Sequence, residues 1–165
     1  SSDLLLAKSR PWWGATMQLA YTLSRSERRL HDSGWRLFDS DQTHNLAFVA
    51  GQDLGKGWRA GARFRWVTGS PTTPLVGSVY DARVGLYRAL WGSVNSERMS
   101  SFQQLDLSLE KTFHTGPLSL TPYLEVQNAL DRSNREGTEW SFDYRQSRAV
   151  TALPLTPNLG LRGEL

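Results

Sequence analysis

The chain has 165 residues, a formal net charge of +3 and no cysteine. Its length suits one core or one small barrel, and disulfides and thiolate metal sites are excluded. The charge excess is too small, and too evenly spread, to expect a nucleic-acid partner.

Hydrophobic periodicity then divides the chain into strands. Asp3–Ala7 is a first short candidate. Trp12–Arg25 alternates more clearly, with Trp13, Ala15, Met17, Leu19, Tyr21 and Leu23 against Gly14, Thr16, Gln18, Ala20, Thr22 and Ser24. His44–Asp53 is weaker, because Leu46/Phe48 and Ala47/Val49 are apolar on both faces. Trp58–Val67 sets Trp58, Ala60, Ala62, Phe64 and Trp66 against Arg59, Gly61, Arg63 and Arg65. Phe102–Phe113 opposes Leu105, Leu107 and Leu109 to Gln104, Asp106, Ser108 and Glu110. Leu118–Asn128 continues the pattern but contains Pro122, which lacks a ladder donor and predicts a bulge or break. Asn158–Leu165 completes seven strands.

The connections alternate in length. Lys8–Pro11, Leu54–Gly57 and His114–Pro117 are short; Ser26–Gln42, Thr68–Ser101 and Leu130–Leu153 are long. Tight periplasmic turns and extended outer loops produce that rhythm in outer-membrane barrels, whereas a soluble meander has no reason for it. No run approaches the about 18 apolar residues of a transmembrane helix. Negative mean hydropathy agrees with alternating barrel strands, which average polar and apolar faces. The expectation is an all-β, antiparallel transmembrane barrel segment of about seven strands.

Residue roles follow from that parity. Trp12, Trp13, Trp58 and Trp66 are expected as anchors at the two interfaces with the lipid bilayer. Arg59, Arg63 and Arg65 share a face with Asp106, Glu110 and Glu125 and are expected in the lumen. There they either pair across strands or contact a plug or an anionic ligand. Within the second long loop, Tyr80, Arg83, Tyr87, Arg88 and Trp91 combine aromatic surfaces with cationic donors and are the candidate ligand contacts. Trp140, Phe142 and Tyr144 predict a hairpin in the third. The three histidines, His31, His44 and His114, lack metal-ligand spacing, so no metal or cofactor is expected. No catalytic set is visible; the test case for a rim hydrolase is His31 and His44, which flank the first long loop.

Four segments resemble TonB-dependent outer-membrane receptors, in that family's order. They are Tyr21–Arg29; Gly61–Pro71, with its Thr68-Gly69-Ser70-Pro71 entry to a large loop; Tyr123–Asp131, with Gln127-Asn128; and Leu153–Leu165. The resemblance implies a terminal strand in which Leu159, Leu161 and Leu165 signal to the barrel-assembly machinery. Leu165 stands where the family usually carries an aromatic residue.

It further implies that residues 1–165 are the C-terminal part of a 22-stranded barrel, without its plug domain, in the outer membrane of a Gram-negative bacterium. Such receptors import scarce ligands, such as a siderophore complex, cobalamin or a glycan. The partners implied are the remaining strands, the plug and, through the plug, the TonB complex. Because Ser1 is not an initiator Met, a processed or partial chain is expected. Seven is odd and bacterial single-chain barrels are even, which favours a fragment or split partner over self-closure. The alternative is a small self-contained barrel serving as porin, adhesin, or structural or secretion component.

Overall fold

The computed structural model describes residues 2–12, 14–30 and 34–165, with backbone alone for 2–12 and Leu30. The fold is all-β and antiparallel, with no helix among the described residues. In chain order the strands are β1 (Ser2–Trp12), β2 (Ala15–Arg25), β3 (Glu27–Leu30), β4 (Gly34–Leu37), β5 (His44–Gly55) and β6 (Trp58–Val67). Then come β7 (Pro71–Thr72), β8 (Leu75–Asp81), β9 (Leu86–Trp91), β10 (Glu97–Arg98) and β11 (Phe102–Lys111). The last are β12 (Phe113–Thr115), β13 (Leu118–Gln127), β14 (Arg135–Trp140), β15 (Ser147–Thr151) and β16 (Thr156–Glu164).

One sheet carries the wall, in the order β1-β2-β5-β6-β11-β13-β16, with short β12 continuing β11 alongside β13. Each long strand is a neighbour of the next in sequence, so the wall is a plain up-and-down meander. The remaining strands form four two-stranded ribbons, β3–β4, β8–β9, β7–β10 and β14–β15. All lie within the three long connections. The seven predicted strands and the alternation of short and long connections are therefore present.

Three details differ from the expectation. Lys8–Pro11 is not a turn: β1 runs on to Trp12, opposite Ala15, so Trp12 ends the first strand instead of opening the second. Pro11 stands opposite Thr16, one pair before the end of the β1–β2 ladder. Pro122 does not break its strand; it stays in register opposite Leu161. The expected local break is present on its other side, where the ladder stops at Tyr123 opposite Glu110 and resumes at Leu120 opposite Phe113. Thr112 leaves the ladder between β11 and β12, donates its N–H to Gly57 O at 2.8 Å, and hydrogen-bonds Thr121 Oγ1 at 3.0 Å. Finally, His44–Gly55 is a full 12-residue strand in mid-sheet, despite its weak alternation.

Direct cross-strand partners lie on the same side of an antiparallel sheet, so the register sorts the wall into two faces. Met17, Ala50, Ala62, Leu107, Val126 and Pro157 form one continuous row. Leu19, Phe48, Phe64 and Leu105 form the next. The opposite face carries rows such as Asp53, Arg59, Glu110, Tyr123 and Gly160. Among the described residues nothing packs over the apolar rows: Leu19, Leu107, Leu109 and Leu124 all remain exposed. Among the described residues, Ala15 and Val67 are the buried hydrophobic ones. This sheet has no conventional hydrophobic core.

Candidate functional site

The polar face of the wall is knitted by charge. Arg63 Nη2 donates to Asp106 Oδ2 at 2.6 Å, and Arg59 Nη1 to Glu110 Oε1 at 3.0 Å. Each pair sits directly opposite in register, so the sheet delivers the partners without bending either strand. Arg162 reaches Glu110 from the far side at 3.8 Å. Arg65 behaves differently: its guanidinium lies over the Phe102 ring, 5.2 Å from the centroid, and it has no carboxylate partner among the described residues. Glu125 also lacks an ion pair and lines a groove of about 310 Å³ with Arg63 and Asp106. The six predicted lumen residues do share one face; four are paired and two are not.

Gly160 on this face has a specific use. Tyr123 stands opposite it, and a Cβ at position 160 would fall inside the tyrosine ring. The aromatic ring thus covers the bare backbone of the last strand, as aromatic side chains do over glycines near sheet edges.

The apolar face is bordered by aromatic rings at both ends. At the long-loop end Tyr21, His44 and Trp66 form a cluster, with successive centroids 6.2 and 6.1 Å apart. The Tyr21 hydroxyl and His44 Nδ1 share a hydrogen bond at 2.8 Å. At the short-turn end Lys111 Nζ lies over both Trp58 and Phe113, at 5.3 and 5.4 Å from their centroids. The same ammonium donates to the Lys56 carbonyl in the turn. Of the predicted anchors, Trp58 and Trp66 occupy opposite borders, Trp12 is the last residue of β1, and Trp13 lies outside the described residues. Sequence reading missed Tyr21, His44 and Phe113 as border residues, although their parity was available. His31 lies outside the described residues.

Beyond Tyr21, His44 and Trp66 the long connections fold onto one another. Asp41 is fully buried and receives Ser26 N–H at 2.6 Å, Thr43 Oγ1 at 3.0 Å and Arg98 Nη2 at 2.5 Å. Burial opposes its ionisation. The hydrogen bonds from Arg98, Ser26 and Thr43 outweigh that and hold the carboxyl below its ordinary range. Arg98 also donates to the carbonyls of Asp41 and Gly69, so one guanidinium clamps the first long loop to the second. Asn95 Nδ2 adds bonds to Leu37 O at 2.8 Å and Asp39 Oδ1 at 2.6 Å.

The third loop is fastened by two buried asparagines. Asn134 pairs with the backbone of Gln103 through both ends of its amide, at 2.8 and 2.7 Å, imitating a strand neighbour. Asn128 adopts a left-handed φ of 51° and donates to Arg132 O and Leu153 O, closing the base of the loop. Its own N–H reaches Asp106 Oδ1 at 3.0 Å. Asn128 of the Gln-Asn pair is thus a loop fastener, while Gln127 ends the β13 ladder opposite Thr156. Asp41, Arg98, Asn95 and Asn134 were not picked out, because their partners lie 31 to 58 positions away in the chain.

The five predicted ligand residues are only partly united. Tyr80 and Tyr87 face each other in the β8–β9 hairpin with centroids 5.1 Å apart. Phe142 of the third loop meets Tyr87 edge-on at 5.7 Å, and Ser78 Oγ bonds Asp143 O at 2.7 Å. These aromatics join two loops. Arg88 is tied to Asp81 at 2.8 Å on the other face of the hairpin, and Arg83 projects from its tip. The predicted hairpin of the third loop exists as β14–β15, but Phe142 and Tyr144 lie in its turn and not in a strand.

Trp91 instead lines a cleft of about 580 Å³ between the second and third loops, together with Trp140, Glu97, Arg98, Arg135 and Glu136. A neighbouring cleft of about 430 Å³ includes Arg65 and Phe102 at the top of the polar face. The two share Met99, Ser100, Arg135 and Glu136 in their walls. In the terminal strand Leu159 and Leu161 project, largely exposed, from the apolar face, and Leu165 follows β16. Among the described residues no group of acidic or histidine side chains could hold a metal.

Compared with known proteins, the chain matches no family model, no curated protein and no solved structure.

Proposed function

We propose that this chain is a section of the wall and outer mouth of an outer-membrane β-barrel, working as a receptor or transporter and not as an enzyme. The observation that carries the reading is the two-faced wall. An uncovered apolar surface is bordered by aromatic rings at both ends, and a charged, ion-paired surface lies behind it. In water such an apolar face would be an extreme liability, whereas against lipid it is the favourable state. The long wall strands with described side chains run 9 to 12 residues. That brackets the about 9–11 needed by a tilted spanning strand.

Two edges, β1 and β16, pair with one neighbour each. In hydrocarbon every unsatisfied backbone group costs several kcal/mol, so the wall functions with further strands that complete a ring. This favours a part of a larger barrel over a small self-contained porin or adhesin. The resemblance to TonB-dependent receptors supports a Gram-negative outer membrane, with a plug and the TonB complex as further partners.

A single-cysteine scan tests the reading cleanly, because the chain has no native cysteine. Cysteines placed singly from Gln104 to Lys111 in outer-membrane preparations should react with a water-soluble maleimide at every second position. Leu105, Leu107 and Leu109 should be protected. Uniform labelling, or recovery of the chain as a soluble monomer, would sink the assignment.

A further inference from the structure

We infer that the paired clefts between the second and third loops form a binding site for a neutral, polyhydroxylated ligand, an oligosaccharide chain. The inference rests on reading these loops as the outer mouth, and it concerns the chemistry that the mouth selects. The clefts measure about 430 and 580 Å³, each within the range of small-molecule sites. Two indoles, Trp91 from β9 and Trp140 from β14, line the larger one from different loops. Flat apolar rings on separate walls suit a ligand with apolar ring faces and polar edges.

The charges decide between ligand classes. Arg98 is neutralised by Asp41. Among the described residues Arg65 and Arg135 have no carboxylate partner, and Glu97 and Glu136 no cationic one; Arg65 lies over the Phe102 ring, and Arg135 donates to Gly137 O and Thr138 Oγ1. Two cations and two anions outside any ion pair cancel, so the lining exerts no net pull on an anionic chelate or a cation. What they leave is a mixture of strong donors and strong acceptors along one surface. Hydroxyl groups both donate and accept, and so use both kinds. The interlocked loops hold that mixture in place before a ligand arrives, through the Asp41–Arg98 and Asn134–Gln103 bonds.

The test is a fluorescence titration of the whole chain in outer-membrane vesicles with maltohexaose and cellohexaose, against sulfated and sialylated oligosaccharides and a ferric catecholate. Saturable binding of a neutral hexasaccharide is expected, weakened about tenfold by Trp140→Ala or Trp91→Ala. Trp140→Phe should be weakened less, because it keeps a ring. Trp35→Ala, in the exposed β3–β4 ribbon away from the clefts, should bind as the parent does. Preference for the charged probes, indifference to both tryptophans, or no saccharide binding would each overturn the inference. The cysteine pattern from Gln104 to Lys111, read in the same vesicles, separates this from failure of the membrane reading. A protected strand without saccharide binding refutes the ligand class alone; an unprotected strand refutes both.

Discussion

The wall and the interlocked loops proposed as its mouth are stabilised in opposite ways. The wall has long strands, regular register and exposed apolar rows, and its ion pairs lie at the polar surface. The mouth has short ribbons, irregular backbone and fully or nearly buried polar residues: Asp41, Asn128 and Asn134. A wall of that kind gets its rigidity from the backbone ladder and from whatever covers its apolar face. The mouth has no such external support and must satisfy its own backbone with side chains. Mutations should therefore be felt through different physics in the two regions.

The largest effect should come from breaking the latch. Asp41→Ala strips Arg98 of its carboxylate and leaves Ser26 N–H without an acceptor, at an expected cost of about 3–5 kcal/mol. Amide exchange at Ser26 and Asp41 would register the opening, while β6 and β11 should keep their protection. The same latch predicts an acid response. Because the folded carboxyl titrates below its usual 3.8, its contribution is complete above that pH. It fades as pH falls through the lower folded value. Exchange at these amides should quicken in strong acid in the parent and be independent of that titration in Asp41→Asn.

Next in size is the wall's apolar face, proposed to meet lipid. Ala62→Arg or Leu107→Arg, in the same mid-strand row, should cost about 2–4 kcal/mol when refolded into bilayers. In detergent-free buffer the same substitutions should improve solubility. A penalty of equal size in both media would mean that the face is covered by protein and not by lipid.

The wall was largely legible in the sequence because its signal is local. Alternation at period two identifies a strand from ten neighbouring residues, and the faces of Trp58–Val67 and Phe102–Lys111 follow from parity alone. The failures have equally local causes. Pro11 reads as a breaker, yet the ladder runs through it to Trp12 opposite Ala15. Pro122 does mark the break in the ladder with β11 and β12, but it does not reveal that the strand stays whole beside β16. The mouth was legible only in its aromatics. Tyr80, Tyr87 and Trp91 stood out by type, but type does not reveal that the tyrosines fasten a hairpin while Trp91 lines a cleft. Trp140 gave no sign of sharing that cleft, since nearly fifty positions separate it from Trp91.

A smaller effect is expected from Asn134. Replacing it by alanine removes two bonds to the Gln103 backbone and leaves a buried N–H and carbonyl unpaired, worth about 1–3 kcal/mol. The loss should appear as faster exchange at Gln103 and easier proteolysis between Asn134 and Ala152, with the strand ladder intact. Asn134→Asp should recover only the acceptor half, so its Gln103 N–H should stay protected while stability falls partway.

The smallest effect sharpens the comparison most. Arg63 makes a well-formed pair with Asp106, yet its side chain is 65% exposed. Exposed pairs contribute about 0–1 kcal/mol, because water solvates the separated charges nearly as well. Arg63→Ala should therefore barely move the wall's stability, in contrast to Asp41→Ala, although both remove one bridge of similar length. Asp106 retains Gln104 and the Asn128 N–H as partners, which further softens the loss. The check is a double-mutant cycle of Arg63→Ala with Asp106→Asn, read by refolding into bilayers at low and high salt. A coupling below about 1 kcal/mol that shrinks with salt is the result expected of a water-facing wall. A coupling of several kcal/mol, insensitive to salt, would mean that this face is dry and sealed against another domain. The two regions would then differ in geometry but not in dielectric.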